Sequence, residues 1–130
     1  MRLLVTGSRD WEGRYAEARI NQVLNTVLAL SDILGDKLTV VHGACPTGAD
    51  QITDAWAVRR EHDGVAVERY PANWQRYGKG AGPRRNEELV RLGADMCIGF
   101  LRQDNSTGTK NCLALSRHAG IPTFVVNWED

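Results

Sequence analysis

The sequence predicts an α/β fold: a three-layer α-β-α domain around a mainly parallel sheet of about five strands, in the order 3-2-1-4-5. Three observations lead there. Short apolar, β-branched runs alternate with longer amphipathic stretches, the intervening stretches are long enough to be crossover helices, and loops rich in glycines, hydroxyls and arginines follow the runs while plain turns precede them. Antiparallel neighbours would be joined by short turns, so this alternation imposes parallel pairing. Right-handed crossovers then place helices on both faces of the sheet. The order follows by analogy with doubly wound folds and puts the switch point between the first and fourth strands.

Each element has its own signal. Residues 3–5 form a first strand that ends in a Gly-Ser turn. Residues 18–34 carry Ile20, Val23, Leu24, Val27, Leu28 and Leu30 at helical spacing, and Gly35-Asp36 stops that helix. A second strand, 38–41, runs into His42-Gly43. A second helix, 47–60, keeps Ala49, Ile52, Ala55 and Trp56 on one side, which marks Trp56 as core. Residues 65–69 are a third strand. Residues 70–82 are the longest irregular stretch, with Gly78, Gly80 and Gly82. A third helix, 83–92, opens on a proline. A fourth strand (94–100), a turn (105–109), a fourth helix (109–119) and a fifth strand (122–126) complete the chain.

A length of 130 residues suits one domain, 1–130, and not two. Hydrophobic residues at 42% and charged residues at 25% exclude a disordered chain, a collagen-like repeat and a coiled-coil rod. Sixteen Lys plus Arg balance sixteen Asp plus Glu, which argues against general coating of nucleic acid by a cationic field. No apolar run approaches the roughly 20 residues of a membrane helix, and the opening residues lack the long apolar core of a signal peptide. Cys45, Cys97 and Cys112 are odd in number and far apart, unlike a disulfide framework or a C-x-x-C metal site. We therefore expect a reduced, cytoplasmic protein. Cys97 and Cys112 lie in apolar stretches and read as core; Cys45, in a glycine-bearing loop, is the one to test for reactivity.

Ligands of open parallel sheets bind beyond the carboxyl ends of the strands. The loops at that rim are rich in glycines, hydroxyls and arginines: Thr6-Gly7-Ser8-Arg9-Asp10-Trp11 after the first strand, and His42 to Asp50 after the second. Asn73, Trp74, Tyr77 and then Ala81 to Asn86 follow the third, and Asn105 to Thr109 the fourth. The opposite rim has plain turns. Gly7, Gly43, Gly48 and Gly108 permit close backbone approach, and helices starting at this rim direct free N–H groups and a positive dipole end toward it. Arg9 and Arg85 suit phosphate oxygens, and Trp74 or Tyr77 a base. Taken singly, each of these residues has an ordinary structural explanation; four such loops on one rim point to a phosphate-bearing ligand. His42 reads as a structural hydrogen-bonder, since no ligand-spaced metal cluster accompanies it. The P-loop, the dinucleotide fingerprint G-x-G-x-x-G and the G-x-S-x-G elbow are absent from the sequence.

This set of motifs, in this order along essentially the whole chain, resembles the YspA/YpsA-related branch of the SLOG superfamily, small Rossmann-like domains of bacteria and phages. The resemblance implies a Rossmann-like sheet and a nucleotide or nucleotide-derived ligand of the NAD or ADP-ribose kind, with no certain cofactor. It implies that Gly7, Ser8 and Arg9 line the site, that Gly43, Gly48 and Asp50 form a second wall, that Arg85 and Asn86 reach in, and that Gly108 and Thr109 hold phosphate. Two departures stand out. Ser106-Thr107 occupies the place of the superfamily's paired glycines, and Cys112 stands where the LOG phosphoribohydrolases carry a catalytic glutamate. A cysteine cannot stabilise an oxocarbenium charge as a carboxylate does.

The leading expectation is thus a nucleotide-derivative binding or sensing domain with no turnover of its own, and the resemblance implies a homodimer. A second is an enzyme that cleaves an N-glycosidic or phosphoribosyl bond, with Asp50 as acid and Arg85 as charge stabiliser. A third is single-stranded DNA binding in the manner of DprA, using Trp74, Tyr77, Arg76, Lys79, Arg84 and Arg85; the balanced charge disfavours it.

Overall fold

A computed structural model describes residues 1–102 and 106–129. Five strands form one sheet: β1 (Arg2–Gly7), β2 (Thr39–His42), β3 (Ala66–Arg69), β4 (Met96–Leu101) and β5 (Thr123–Asn127). Every pairing is parallel, as the alternating pattern predicts, and the order is β3-β2-β1-β4-β5, as the analogy with doubly wound folds predicts. β1 is central, pairing with β2 (Leu3 opposite Val40) and with β4 (Leu3 opposite Met96).

The helices divide between the two faces. Leu3, Val5, Val40, Ile98 and Phe100 pack with Ile20 and Leu24 of α1 (Gly13–Ile33) and with Ile52 and Trp56 of α2 (Ala49–Arg59). The alternate residues Leu4, Val41 and Cys97 point the other way. They meet Leu89 in the helix over Ala81–Leu92 and Cys112 and Leu113 in the helix over Thr107–His118. This period of two along β1 supplies both cores from one strand. Trp56 is core as expected, and its indole N–H donates to Asn25 Oδ1 at 2.9 Å. No described helix is long and apolar enough to cross a membrane.

Several boundaries differ from the sequence expectation. α1 starts at Gly13, not at residue 18, because Ala16 is buried by tertiary packing and Tyr15 sits edge-on to Trp128, 4.6 Å between ring centroids. α2 starts at Ala49 because Gly48, at φ +76°, lies outside helical conformation. The stretch expected to be irregular holds α3 (Trp74–Tyr77), capped by Asn73 Oδ1 accepting the Arg76 N–H at 3.1 Å, and a 3-10 turn at Gly78–Gly80. Elements this short leave no periodicity to read. The next helix, α4, begins at Ala81 with Pro83 third; a first-turn N–H has no intrahelical acceptor, so proline is tolerated there. α5 (Thr107–His118) begins two residues before Thr109. Asn105, at the start of the expected turn, lies outside the described residues.

Gly99 in β4 seats α5 against the sheet: a Cβ there would come within 2.7 Å of Leu113 Cδ2. Gly99→Ala should therefore destabilise by about 1–3 kcal/mol in urea unfolding, as overpacking does. In the double variant with Leu113→Ala, the cost should be less than the sum of the two single losses, because the trimmed side chain admits the new methyl.

Candidate functional site

Because α1 and α2 cover one face and α4 and α5 the other, the loops leaving β1 and β4 diverge. A cleft of about 790 Å³ opens between them at the carboxyl ends of the strands. Thr6 to Asp10 form its floor, Cys45 and Asp50 one wall, and Trp74 and Lys79 the outer rim. Arg85 and Asn86 descend from α4, and Ser106 to Thr109 with Asn111 come from the start of α5. Of the residues singled out by sequence, Gly7, Ser8, Arg9, Asp50, Trp74, Arg85, Asn86, Gly108 and Thr109 line this one cleft; Gly43, Gly48 and Tyr77 do not.

Those three have other surroundings. A Cβ on Gly43 would overlap the guanidinium of Arg85, whose Nη1 donates to the Gly43 carbonyl at 2.6 Å. A Cβ on Gly48 would lie 2.5 Å from the Ser8 carbonyl oxygen, so this glycine lets the start of α2 close on the first loop. Tyr77 lies beneath cations: the guanidinium carbons of Arg84 and Arg76 stand 4.3 and 5.1 Å from its ring centroid. Trp74, 51% exposed, is the aromatic surface facing the cleft.

Ser8 ties the loops together. Its N–H donates to Phe100 O at 2.9 Å, and its carbonyl accepts from Trp11 N at 3.3 Å and Ala49 N at 3.4 Å. Its buried hydroxyl shares a hydrogen bond with the Ser106 hydroxyl and accepts from Arg102 N at 3.2 Å. Arg102 also donates to the Asp10 carbonyl at 2.7 Å and stacks 3.7 Å from the Trp128 ring centroid, and Trp128 in turn meets Trp11 edge-on. The hydroxyl of Ser106, marked in the sequence only as standing in the place of the superfamily's paired glycines, is thus a structural tie.

Asn86 fastens α4 to α5. It is buried, donates from Nδ2 to Gly108 O at 3.2 Å and Asn111 Oδ1 at 3.1 Å, and accepts from Arg85 Nε at 3.0 Å. Arg85 itself spends Nη1 on Gly43 O and, at 3.4 Å, on Tyr70 O. Arg9 and Lys79 are the exposed cations of the cleft, and Thr107 and Gly108, exposed in the first turn of α5, line it with buried Thr109. Early N–H groups of a helix lack intrahelical acceptors.

Asp50 is the buried acid of the site, 7% exposed. Burial pushes its carboxyl pKa up, opposed by the Cys45 N–H, Arg85 and the Gly43 N–H. The Cys45 N–H reaches Asp50 Oδ2 at 3.2 Å. His42 is a hydrogen-bonder, as expected: Nε2 meets Asp54 Oδ2 at 2.7 Å. Arg69 grips the same carboxylate through Nε at 2.6 Å and Nη2 at 3.1 Å. Among the described residues, no group of three or more His, Cys, Asp or Glu could hold a metal ion. Cys112 is fully buried behind the cleft, and contact with Cys97 together with burial pushes its thiol pKa up; Asn111, one residue before it, faces the cleft instead.

Residues 1–77 match the family described as YAcAr: YspA, cpYpsA-related SLOG family. The chain belongs to this family. The matched portion of this SLOG domain runs from β1 through α3, so it includes the Ser8 loop, the loop ending at Asp50, and Trp74. The "Gene 61 protein" of Mycobacterium phage D29 is 42% identical over 135 residues, covering 99% of this chain and 97% of that protein. No solved structure matches. Membership of the SLOG family points to nucleotide-related binding in general.

Two outcomes follow from this geometry. Gly48→Ala should lower stability by about 1–3 kcal/mol from backbone strain alone. It should cost more than Gly120→Ala, since Gly120 has a similar φ of +81° but open space around its Cβ position; paired urea titrations measure the difference. Hydrogen bonds from Arg69, with help from His42, hold the Asp54 carboxyl below the usual aspartate range, against the effect of burial. A carboxyl lowered by folding stabilises above its unfolded value of about 4, and that contribution is lost as pH falls through the lowered value. Arg69→Gln should therefore be less stable than the parent at neutral pH, and the gap should close as pH falls through the Asp54 titration.

Proposed function

We propose that the cleft binds a nucleotide-derived ligand of the NAD or ADP-ribose kind and that the protein acts as a binding or sensing domain. The observation that carries this reading is the convergence, in one cleft, of the first turn of α5, the exposed cations Arg9 and Lys79, and the half-exposed ring of Trp74. Helix N-termini and cations suit the phosphates, and an exposed indole suits a base. The volume of about 790 Å³ is in keeping with a small-molecule site. On this reading Thr107, Gly108 and Thr109 hold phosphate, Arg85 shapes the wall through Gly43, and Trp74 stacks on the base. Binding without turnover is supported by the burial of Cys112, which leaves no carboxylate at the place of the LOG glutamate.

One observation favours a second reading, cleavage of an N-glycosidic bond. Asp50 is buried at the cleft with its pKa raised, the state a general acid requires. Release of free base from a nucleotide panel, abolished in Asp50→Asn, is the result that reading demands.

Isothermal titration with ADP-ribose, NAD and nucleoside monophosphates tests the main proposal. At least one should bind. Trp74→Ala should weaken that ligand by about 1–3 kcal/mol, roughly 5- to 150-fold. Absence of binding across the panel, or full affinity in a Trp74→Ala, Arg9→Ala double variant, would overturn it. Native mass spectrometry of the same sample reads the expected homodimer.

A further inference from the structure

We propose that His42 is a positioning residue of the cleft. Its Nδ1 holds the turn at Ala44, and that turn delivers the Cys45 N–H to Asp50 and the Gly43 carbonyl to Arg85. The proposal rests on the ligand reading above and extends it to a residue outside the cleft. His42 lies in an adjoining recess of about 300 Å³ that shares only Cys45 and Asp50 with the cleft.

The imidazole is 2% exposed, and both ring nitrogens are used. Nδ1 accepts the Ala44 N–H at 2.9 Å, so the ring hydrogen sits on Nε2 and is donated to Asp54 Oδ2 at 2.7 Å. Asp54 is clamped from its other side by Arg69 of β3, through two nitrogens. The orientation of the ring is therefore set by α2 and β3, away from any ligand.

The turn it holds is strained. Ala44, at φ +57°, is the one non-glycine residue with positive φ among the described residues. Such conformations persist where the surroundings over-determine them, and here the bond to Nδ1 is the tether. Its two neighbours carry the consequence. The Cys45 N–H reaches Asp50 Oδ2 at 3.2 Å, and the Gly43 carbonyl takes Arg85 Nη1 at 2.6 Å. One imidazole thus bears on two residues that line the cleft.

The two ring nitrogens can be tested separately. Asparagine places an acceptor near the position of Nδ1 but does not reach Asp54; glutamine places a donor near Nε2 but leaves the Ala44 N–H without its acceptor. His42→Asn should keep the parent's ADP-ribose affinity within a few-fold. His42→Gln should lose about tenfold, the scale of one hydrogen bond. Amide hydrogen exchange at Ala44 and Cys45 should accelerate in His42→Gln and stay slow in His42→Asn. Thermal melts of both variants show whether each is folded. Parent-like affinity in His42→Gln would overturn the proposal, as would equal losses in both variants that track their melting temperatures. If the parent binds no nucleotide, the ligand reading falls by itself. The exchange comparison still decides the role of His42, and parent-like exchange in His42→Gln would overturn that role.

Discussion

β1 and β4 are neighbours in the sheet, yet the helices that follow them pack on opposite faces. Neither helix can fill the gap above the junction, so a crevice there is a consequence of connectivity before any side chain is specified. The loops on its two sides would be independent without Ser8, which joins the end of β4, the start of α2 and the approach to α5 through its N–H, carbonyl and hydroxyl. Gly7 and Gly48 are the steric conditions of that junction: the space where their Cβ atoms would stand is taken by Ala49 and by the Ser8–Arg9 backbone. A site tied this way is largely formed before a ligand arrives, which lowers the ordering cost of binding.

Charge is distributed with the same economy. The chain is neutral overall, and several of its arginines are neutralised locally, Arg2 by Glu68 and Arg69 by Asp54. Exposed pairs of this kind add little stability. Their effect is on where charge remains: Arg9 and Lys79 stand exposed at the cleft while Asp50 is withdrawn below its surface. A neutral protein can in this way present a local anion-attracting mouth without a general affinity for polyanions.

The elements and the rim that carries the cleft could be read from the residues, because burial imposes a period near 3.6 on α1 and glycines, hydroxyls and arginines gather in the loops after the strands; the strand order comes by analogy with doubly wound folds. What escaped reading has a common cause: it depends on partners distant in sequence. Gly43 and Gly48 look alike in the chain, yet one makes room for a guanidinium from α4 and the other for the backbone of the first loop. Trp74 and Tyr77 are equivalent aromatics until Arg84 and Arg76 close over one of them. Ser106 is legible in the chain only as a departure from paired glycines and is half of a hydroxyl pair whose other half lies after β1. His42 was recognisable as structural, but its line to Asp54 and Arg69 needs α2 and β3 in place.

The central strand of this sheet is the first to be made. Leu3 pairs on one side with Val40 and on the other with Met96. During synthesis at about 5–20 residues per second, one edge of β1 is left without its neighbour for roughly 5–20 s. In that interval its backbone donors and acceptors are an open template for any extended segment nearby. Closure must then be won against the entropy of a long loop, which slows folding of sheets with distant pairings. The same placement of β1 that creates the cleft thus lengthens the time for which the growing chain carries an unpaired strand edge.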